Sequence, residues 1–347
     1  MSAHSGSFLP RVFQPAEWAP HDACWLAWPW DASLWEDNLL PAQEEFTALC
    51  RAIQSGGGER LEVLVPDAHH HEIAAKALAG LNVKFHHIPV GDIWLRDTAP
   101  IFVHEPEHKT VHAHVFAFNG WGAKYFLKHD DHVGARVAEA SALQLSRFPL
   151  VLEGGSVEVD GEGTCLTTKQ CLLNRNRNPN LTQQVIESAL GSALGIEKIL
   201  WLGDGLINDH TDGHIDTIAR FVGPATVVCM HASGTDDPNA EILARIEADL
   251  ASFTDARGRK LQVHTIPSPG RIENDEGEVV PASYVNFYIG NKSVVVPTYG
   301  VAHDAAAVAA IAKLFPNHRT IGLSARSILS GGGAFHCITQ QQPRRPE

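Results

Sequence analysis

The segment Ser283–Ala325, SYVNFYIGNKSVVVPTYGVAHDAAAVAAIAKLFPNHRTIGLSA, carries the pattern that decides the fold. Its first two runs, SYVNFYIG and KSVVVPTYG, are rich in β-branched and aromatic side chains, the types that fit a pleated, half-buried surface. Residues 304–315 then space their apolar side chains at helical intervals, which predicts an amphipathic helix. RTIGLSA, just beyond, reads as a third strand. The unit is therefore strand, strand, helix, strand.

The same order recurs along the chain. Helical periodicity appears at 36–54, 131–144, 181–193 and 238–254, with a shorter stretch at 69–80. A strand-type run follows each long one (LEVLVP, FPLVLE, KILWLG, LQVHTIP), and paired runs such as HIDTIARFVG and ATVVCMH precede most of them. About five repeats of one supersecondary unit, with no long Pro/Gly/Ser linker and no low-complexity tract, predict a single α/β domain over residues 1–347. GRIENDEGEVVPA, near 270–282, reads as a surface loop, and the first fifteen or so residues as a flexible lead-in.

Composition narrows the function. With 347 residues, 44% of them apolar, the chain can bury a large core. It has no run of about 18 apolar residues and no basic N-terminal end leading into an apolar stretch, so a cytoplasmic location is expected. The six cysteines, Cys24, Cys50, Cys165, Cys171, Cys229 and Cys337, are scattered without CxxC pairs, which argues against a disulfide framework or a cysteine zinc site. Forty acidic residues against 27 basic ones give a formal charge of −13, a field that repels nucleic acid and anionic lipid and favours a cationic ligand. The sequence leaves homo-oligomerisation open.

Polar clusters fall at matching places in the units. DIWLRDTAP (Asp92–Pro100) opens the second, LEGGSVEVDG (Leu152–Gly161) the third and NDHTDGHID (Asn208–Asp216) the fourth, while Cys337 in GGGAFHCITQQQP follows the fifth. If the units surround an axis, their first strands bring Asp97, Glu153, His214, Asp216 and Cys337 together at its centre. Singly, each has a plain structural reading: Asp97 as a turn or cap carboxylate, Trp94 as core, Glu153 as part of a turn, Cys337 as a buried apolar thiol. Their shared position in a repeat is harder to account for that way. The glycines Gly331 to Gly333 allow close approach of backbone to a ligand or a neighbouring segment, and the residues after Cys337 suit a strand docked into the body of the fold.

His210, Asp212, His214 and Asp216 alternate along what would be a strand, so all four would share one face and could ligate a metal. Against a metal-dependent hydrolase, the chain lacks HExxH and other recognised zinc spacings. Cysteine, histidine and carboxylates suit a different reaction. A guanidinium is planar, permanently cationic and rich in donors, and carboxylates such as Asp97 and Asp216 bind it through paired, charge-assisted hydrogen bonds. The bound cation draws Cys337 towards its thiolate, which attacks the central carbon. His214, oriented by Glu153, protonates the departing ammonia and then activates water against the thiouronium adduct. This chemistry needs neither metal nor organic cofactor.

WLRDTAP, FNGWGAKY, LEGGSVEVDGEGTCLTTKQCLLNRNRNP, NDHTDGHID, ASYVNFYI and GGGAFHCITQQQP together resemble the agmatine deiminase family, related to bacterial peptidylarginine deiminases and, more distantly, to arginine deiminases and amidinotransferases. The similarity runs from PAEWAPHDACWLAWPW near the N-terminus to the last residues of the chain. It implies a five-bladed α/β propeller, the pentein fold. It implies a nucleophile at Cys337, a general acid and base at His214 with Glu153 as its carboxylate partner, and guanidinium carboxylates at Asp97 and Asp216. Trp94, Trp121 and Gly332 would lie along the substrate, and agmatine and water would give N-carbamoylputrescine and ammonia, a step towards putrescine and the polyamines.

One motif departs from the resemblance. Many members read closer to NDETNGHVD in the fourth unit, where this chain has His210 in place of the acidic residue and Asp212 in place of asparagine. A carboxylate there would hold the distal ammonium, a role that passes to Asp212. Peptidyl or free arginine are the alternative substrates, the latter needing a cation such as Arg96, Arg175 or Arg177 for its carboxylate. A non-catalytic polyamine-binding relative is the second class of function.

Overall fold

Four three-stranded sheets follow one rule: the first strand runs antiparallel to the second, and the second parallel to the third. They comprise Ile101–Glu105, Thr110–Ala117 and Gln144–Val151; Glu158–Val159, Thr164–Thr168 and Lys198–Leu202; Ala219–Gly223, Thr226–His231 and Gln262–Pro267; and Tyr288–Ile289, Ser293–Thr298 and Arg319–Ser324. Helices Asp130–Ser141, Gln183–Leu194, Ala240–Ser252 and Asp304–Leu314 join second strands to third. A parallel pair needs such a crossover, since the chain must return to the end from which it started. The computed structural model describes residues 12–346, and the expectation for the residues before Val12 lies outside them. Of the remaining lead-in, Phe13 bridges to His104 and the Gln14 N–H donates to the Leu194 carbonyl at 2.9 Å.

The remaining sheet has four strands and closes a ring. His21–Ala27 and Arg60–Val65 are parallel across helix Leu39–Gln54, and Val83–His87 adds another parallel strand after helix Ala68–Ala77. Its antiparallel first strand comes from the far end of the chain. Gln340–Pro343 pairs with His21–Ala27, Trp25 opposite Gln340 and Cys24 opposite Gln341, and Trp25 Nε1 donates to Gln342 Oε1 at 2.9 Å. Successive units touch one another, and the fifth returns to the first where helix Leu39–Gln54 packs on Ser293–Thr298. The architecture is a five-bladed α/β propeller. Cys337 therefore does not trail the fifth unit; it stands at the head of the first unit's displaced strand, as Asp97, Glu153 and His214 do in theirs.

Helix Leu39–Gln54 buries Ala42, Phe46, Leu49 and Ile53 on one face, and burying a Phe, Leu or Ile side chain contributes about 1.5–3 kcal/mol. Helix Gln183–Leu194 begins at Thr182, whose side chain accepts the Val185 N–H, and ends at Gly195 with φ 71°. The first strands are shorter than their sequences suggest. SYVNFYIG leaves only Tyr288–Ile289 in the ladder, and HIDTIARFVG begins its strand at Ala219, after a 3₁₀ turn over Ile215–Thr217. Polar groups near the axis bind these inner ends instead: Asn286 Nδ2 donates to the Asp216 carbonyl at 3.3 Å and its Oδ1 accepts the His336 N–H at 3.1 Å. Residues 271–280 form an exposed loop. The six cysteines are free and buried, and no described helix is long and apolar enough to cross a membrane.

Candidate active site

Each blade sends a polar side chain to the axis from the residues just before its first strand. Asp97 comes from the short helix Leu95–Thr98 and accepts from the Gly155 N–H and Trp121 Nε1, both at 2.9 Å. Cys337 Sγ lies 3.6 Å from Asp216 Oδ2 and 3.1 Å from Asn286 Nδ2, and Asn286 Oδ1 also accepts the Cys337 N–H at 3.3 Å. His214 Nδ1 is 3.8 Å from Asp97 Oδ1. Gly155 makes this convergence possible, because a Cβ there would stand 2.7 Å from His214 Nδ1, 2.9 Å from Asp97 Oδ1 and 3.1 Å from Asp216 Oδ2. The five residues named from the sequence thus meet, Glu153 among them, with a carboxylate oxygen within 4.8 Å of a His214 ring nitrogen.

Their electrostatics are those of a site short of positive charge. Burial, with Asp216 and then Glu153 adding repulsion, raises the Asp97 pKa to about 8. Burial followed by the charges of Asp216 and Asp97 pushes the Cys337 thiol well up, and burial also raises Glu153. Burial lowers His214 to about 3, so its imidazole is neutral. Asp216 is the exception: burial alone would raise it, but the hydrogen bond and charge of His336, with His214 and Arg220, outweigh burial and hold it low. Among the described residues Glu153 Oε2, Asp216 Oδ1 and both nitrogens of His214 find no hydrogen-bond partner, although each such buried group typically costs about 1–3 kcal/mol.

Asp97 and Cys337 line a cavity of about 380 Å³. Trp94, Trp121 and Gly332, expected along the substrate, are in its wall, and among the described residues no lysine or arginine is. Trp94 stacks on Trp35 at 6.2 Å between centroids and donates to Asp92 Oδ2 at 2.7 Å. Gly332 has φ 105°, open to few residues but glycine. At the next position a Cβ on Gly333 would meet Trp94 at 2.7 Å and Cys337 Sγ at 3.1 Å.

Three expectations are corrected. His210, Asp212, His214 and Asp216 do not share a strand face: Asp212 has φ 65°, which breaks the extended backbone, so that His210 is exposed while His214 and Asp216 are buried. Among the described residues the cluster of possible metal ligands at the axis is instead Glu153, Cys171 and His214. Asp212 does not line the cavity, because its carboxylate is taken by Lys124 Nζ at 2.5 Å, Asn176 Nδ2 at 2.9 Å and Arg177 Nη1. Glu153 does not hydrogen-bond His214; its Oε1 accepts from Arg177 Nε at 3.0 Å, a charged donor that outcompetes a neutral ring. Arg177 and Arg96 are buried in ion pairs and Arg175 is exposed, none of them in the cavity wall.

The sequence does not single out Asn286 and His336 as site residues, and it offers Arg177 only as a cation for a substrate carboxylate. Asn286 could have been singled out, since it precedes the fifth unit's first strand as Asp97 precedes the second's. His336, which precedes Cys337 in the chain, binds Asp216 Oδ2 and Glu17 Oε2 through its two ring nitrogens, each at 2.7 Å.

A five-bladed propeller with a thiol, an imidazole and carboxylates gathered on its axis defines the pentein class of cysteine-centred enzyme. Residues 13–343 match the Porphyromonas-type peptidyl-arginine deiminase family. The chain is 39% identical over 352 residues to the agmatine deiminase of Ectopseudomonas mendocina (strain ymp), covering 95% of each, and 39% identical over 354 residues to that of Pseudomonas aeruginosa (strain LESB58), again 95% of each. The solved structure of the Enterococcus faecalis agmatine deiminase shares the fold with a TM-score of 0.90 and 33% identity over 97% of both chains. The chain belongs to the agmatine deiminase and Porphyromonas-type peptidyl-arginine deiminase family.

Proposed function

We propose that the protein is a cytoplasmic agmatine deiminase, converting agmatine and water to N-carbamoylputrescine and ammonia through a covalent adduct on Cys337. The observation that carries this reading is the meeting of Cys337 and Asp97, which line an aromatic-walled cavity, with the buried His214 and Asp216, in a wall without lysine or arginine among the described residues. In the free enzyme at neutral pH, Asp97 holds a proton and Cys337 is a thiol. A guanidinium between Asp97 and Asp216 supplies the missing charge, expels the Asp97 proton and favours the thiolate.

The thiol proton passes to His214 as Sγ bonds to the guanidinium carbon. His214 returns that proton to one terminal nitrogen, the C–N bond breaks and ammonia leaves, giving a thiouronium. Water then bonds to the same carbon while His214 takes one of its protons; the C–S bond breaks, His214 returns that proton to the sulfur, the proton left on the oxygen passes to solvent as the carbonyl forms, and the neutral ureido product departs. Glu153, beside His214, stabilises the imidazolium formed in each half, and Asn286 steadies the sulfur. Free arginine fits poorly, because its carboxylate would enter an acidic wall unpaired.

The test is production of ureido compound and ammonia from agmatine, with kcat/KM compared against free arginine and a blocked arginine dipeptide. Equal or better turnover of either arginine compound would reject the substrate assignment. A mass increase on Cys337 in a His214 variant supports the covalent step.

A further inference from the structure

We infer that Glu36 is the carboxylate that receives the ammonium end of the substrate and so sets its selection. This rests on the guanidine-hydrolase reading above. A ligand anchored by its guanidinium at Asp97 must run outward through the cavity, past Trp94 and Trp121. Three carboxylates line that path: Asp97, Asp92 and Glu36. Asp97 is at the reacting end. Asp92 is closed off, its Oδ1 accepting from Trp35 Nε1 at 3.0 Å and the Ile93 N–H at 2.8 Å, its Oδ2 from Trp94 Nε1 at 2.7 Å. Glu36 is exposed, and its carboxylate makes no hydrogen bond or ion pair among the described residues. His210, also in the wall, offers only an imidazole, whose Nδ1 is engaged by the Tyr125 hydroxyl at 3.0 Å.

The backbone at Glu36 points the same way. Its φ of 47° and ψ of −127° are sparsely populated for a residue with a Cβ, and strain of this kind persists only where neighbours enforce it. Here they do: the Glu36 N–H bonds the Ala32 carbonyl, and the preceding Trp35 is anchored through its indole to Asp92. The loop that strains Glu36 is thus tied to the residue that fixes Trp94 in the cavity wall. A lone exposed carboxylate attracts a compact, freely rotating ammonium and repels a carboxylate.

The experiment compares agmatine with n-butylguanidine, which has the same guanidinium and four-carbon chain but no ammonium. Binding is measured calorimetrically on the Cys337→Ser protein and turnover on the enzyme with Cys337 intact, each with Glu36 and with Glu36→Gln. The advantage of agmatine over n-butylguanidine should fall about fivefold in Glu36→Gln, the size expected of an exposed charge pair, in Kd and in KM rather than kcat. An unchanged ratio, equal losses for both ligands or no binding of agmatine would overturn the inference. Turnover without dependence on Glu36 leaves the hydrolase reading standing and removes this one; Glu36-dependent binding without turnover does the reverse.

Discussion

Two buried charge clusters meet at the propeller axis, and the protein compensates them to different degrees. In the first, Arg220 bonds Glu158 through Nε and pairs with Glu17 through Nη2, both at 2.9 Å, while Arg96 and His336 also reach Glu17. Burial alone would raise the Glu17 carboxyl, but Arg220, His336 and Arg96 outweigh it and hold it well below the usual range. In the second, Asp97 and Cys337 are as deeply buried, yet among the described residues no lysine or arginine lines the cavity and burial wins, and it wins at Glu153 too, although Arg177 pairs with it. A structural cluster carries its own counter-ions. A binding cluster leaves one out, so that a cationic ligand completes it.

Asp216 belongs to both. Its Oδ2 is held by His336, whereas its Oδ1 finds no hydrogen-bond partner among the described residues. The paired cluster thereby keeps one guanidinium carboxylate ionised beside a thiol that is not.

The contrast is open to attack at several points. Cys337→Ser should have the largest effect, lowering turnover by about four orders of magnitude or more with an unchanged circular dichroism spectrum, since an alcohol is a far weaker nucleophile. Retention of more than about a tenth of the activity would be incompatible with covalent catalysis. Arg220→Met should instead strike stability, by about 3–5 kcal/mol in urea unfolding, because Glu158 loses its arginine inside the protein and Glu17 loses one of its cationic partners. A loss within experimental error would mean that the first cluster is no more compensated than the second.

Asp97→Asn should separate the two regions most sharply. Catalytically it removes charge-assisted bonds worth about 1.5–3 kcal/mol, or roughly 10- to 150-fold in kcat/KM for agmatine. For stability the sign is opposite. Its folded pKa of about 8 lies above the ordinary carboxylate range, so across that window the folded state holds a proton that the unfolded chain has lost. Wild-type stability should therefore fall relative to Asp97→Asn as pH rises to about 8, and the variant should melt higher at pH 9. By the same titration, wild-type kcat/KM should climb with pH towards about 8, as the proton that the substrate must expel is lost. A variant that melts lower than wild type at pH 9 would show that Asp97 is compensated after all. The smallest expected effect is that of prolonged chelation, which should leave turnover unchanged; activity lost on chelation and restored by metal would transfer the chemistry from the thiol to the cluster of Glu153, Cys171 and His214.

Much of this was legible in the chain. The helix expected at 304–315 is Asp304–Leu314, and that at 181–193 is Gln183–Leu194, because helical periodicity is a local signal that tertiary packing here only reinforces. Asp97, Glu153, His214, Asp216 and Cys337 could be named together because a repeat assigns equivalent positions without any coordinates. Less was legible where a local rule gave way. The alternation in NDHTDGHID suggested a strand, but Asp212 turns the backbone and sends His214 and Asp216 inward while His210 stays outside.

The sequence by itself determined the repeating unit, the number of blades and five of the residues that face the axis, since each follows from side-chain type and spacing over a few tens of residues. Only the tertiary structure decided that the first blade borrows its strand from Gln340–Pro343, and which buried charges find a partner. The physical reason is distance along the chain. Whether a carboxylate is paired depends on groups within a few ångströms, and His336 meets Glu17 across 319 residues, Arg96 meets Gln341 across 245 and Asn286 meets Cys337 across 51. No local pattern records such meetings, yet they fix which cluster is closed and which waits for a cation.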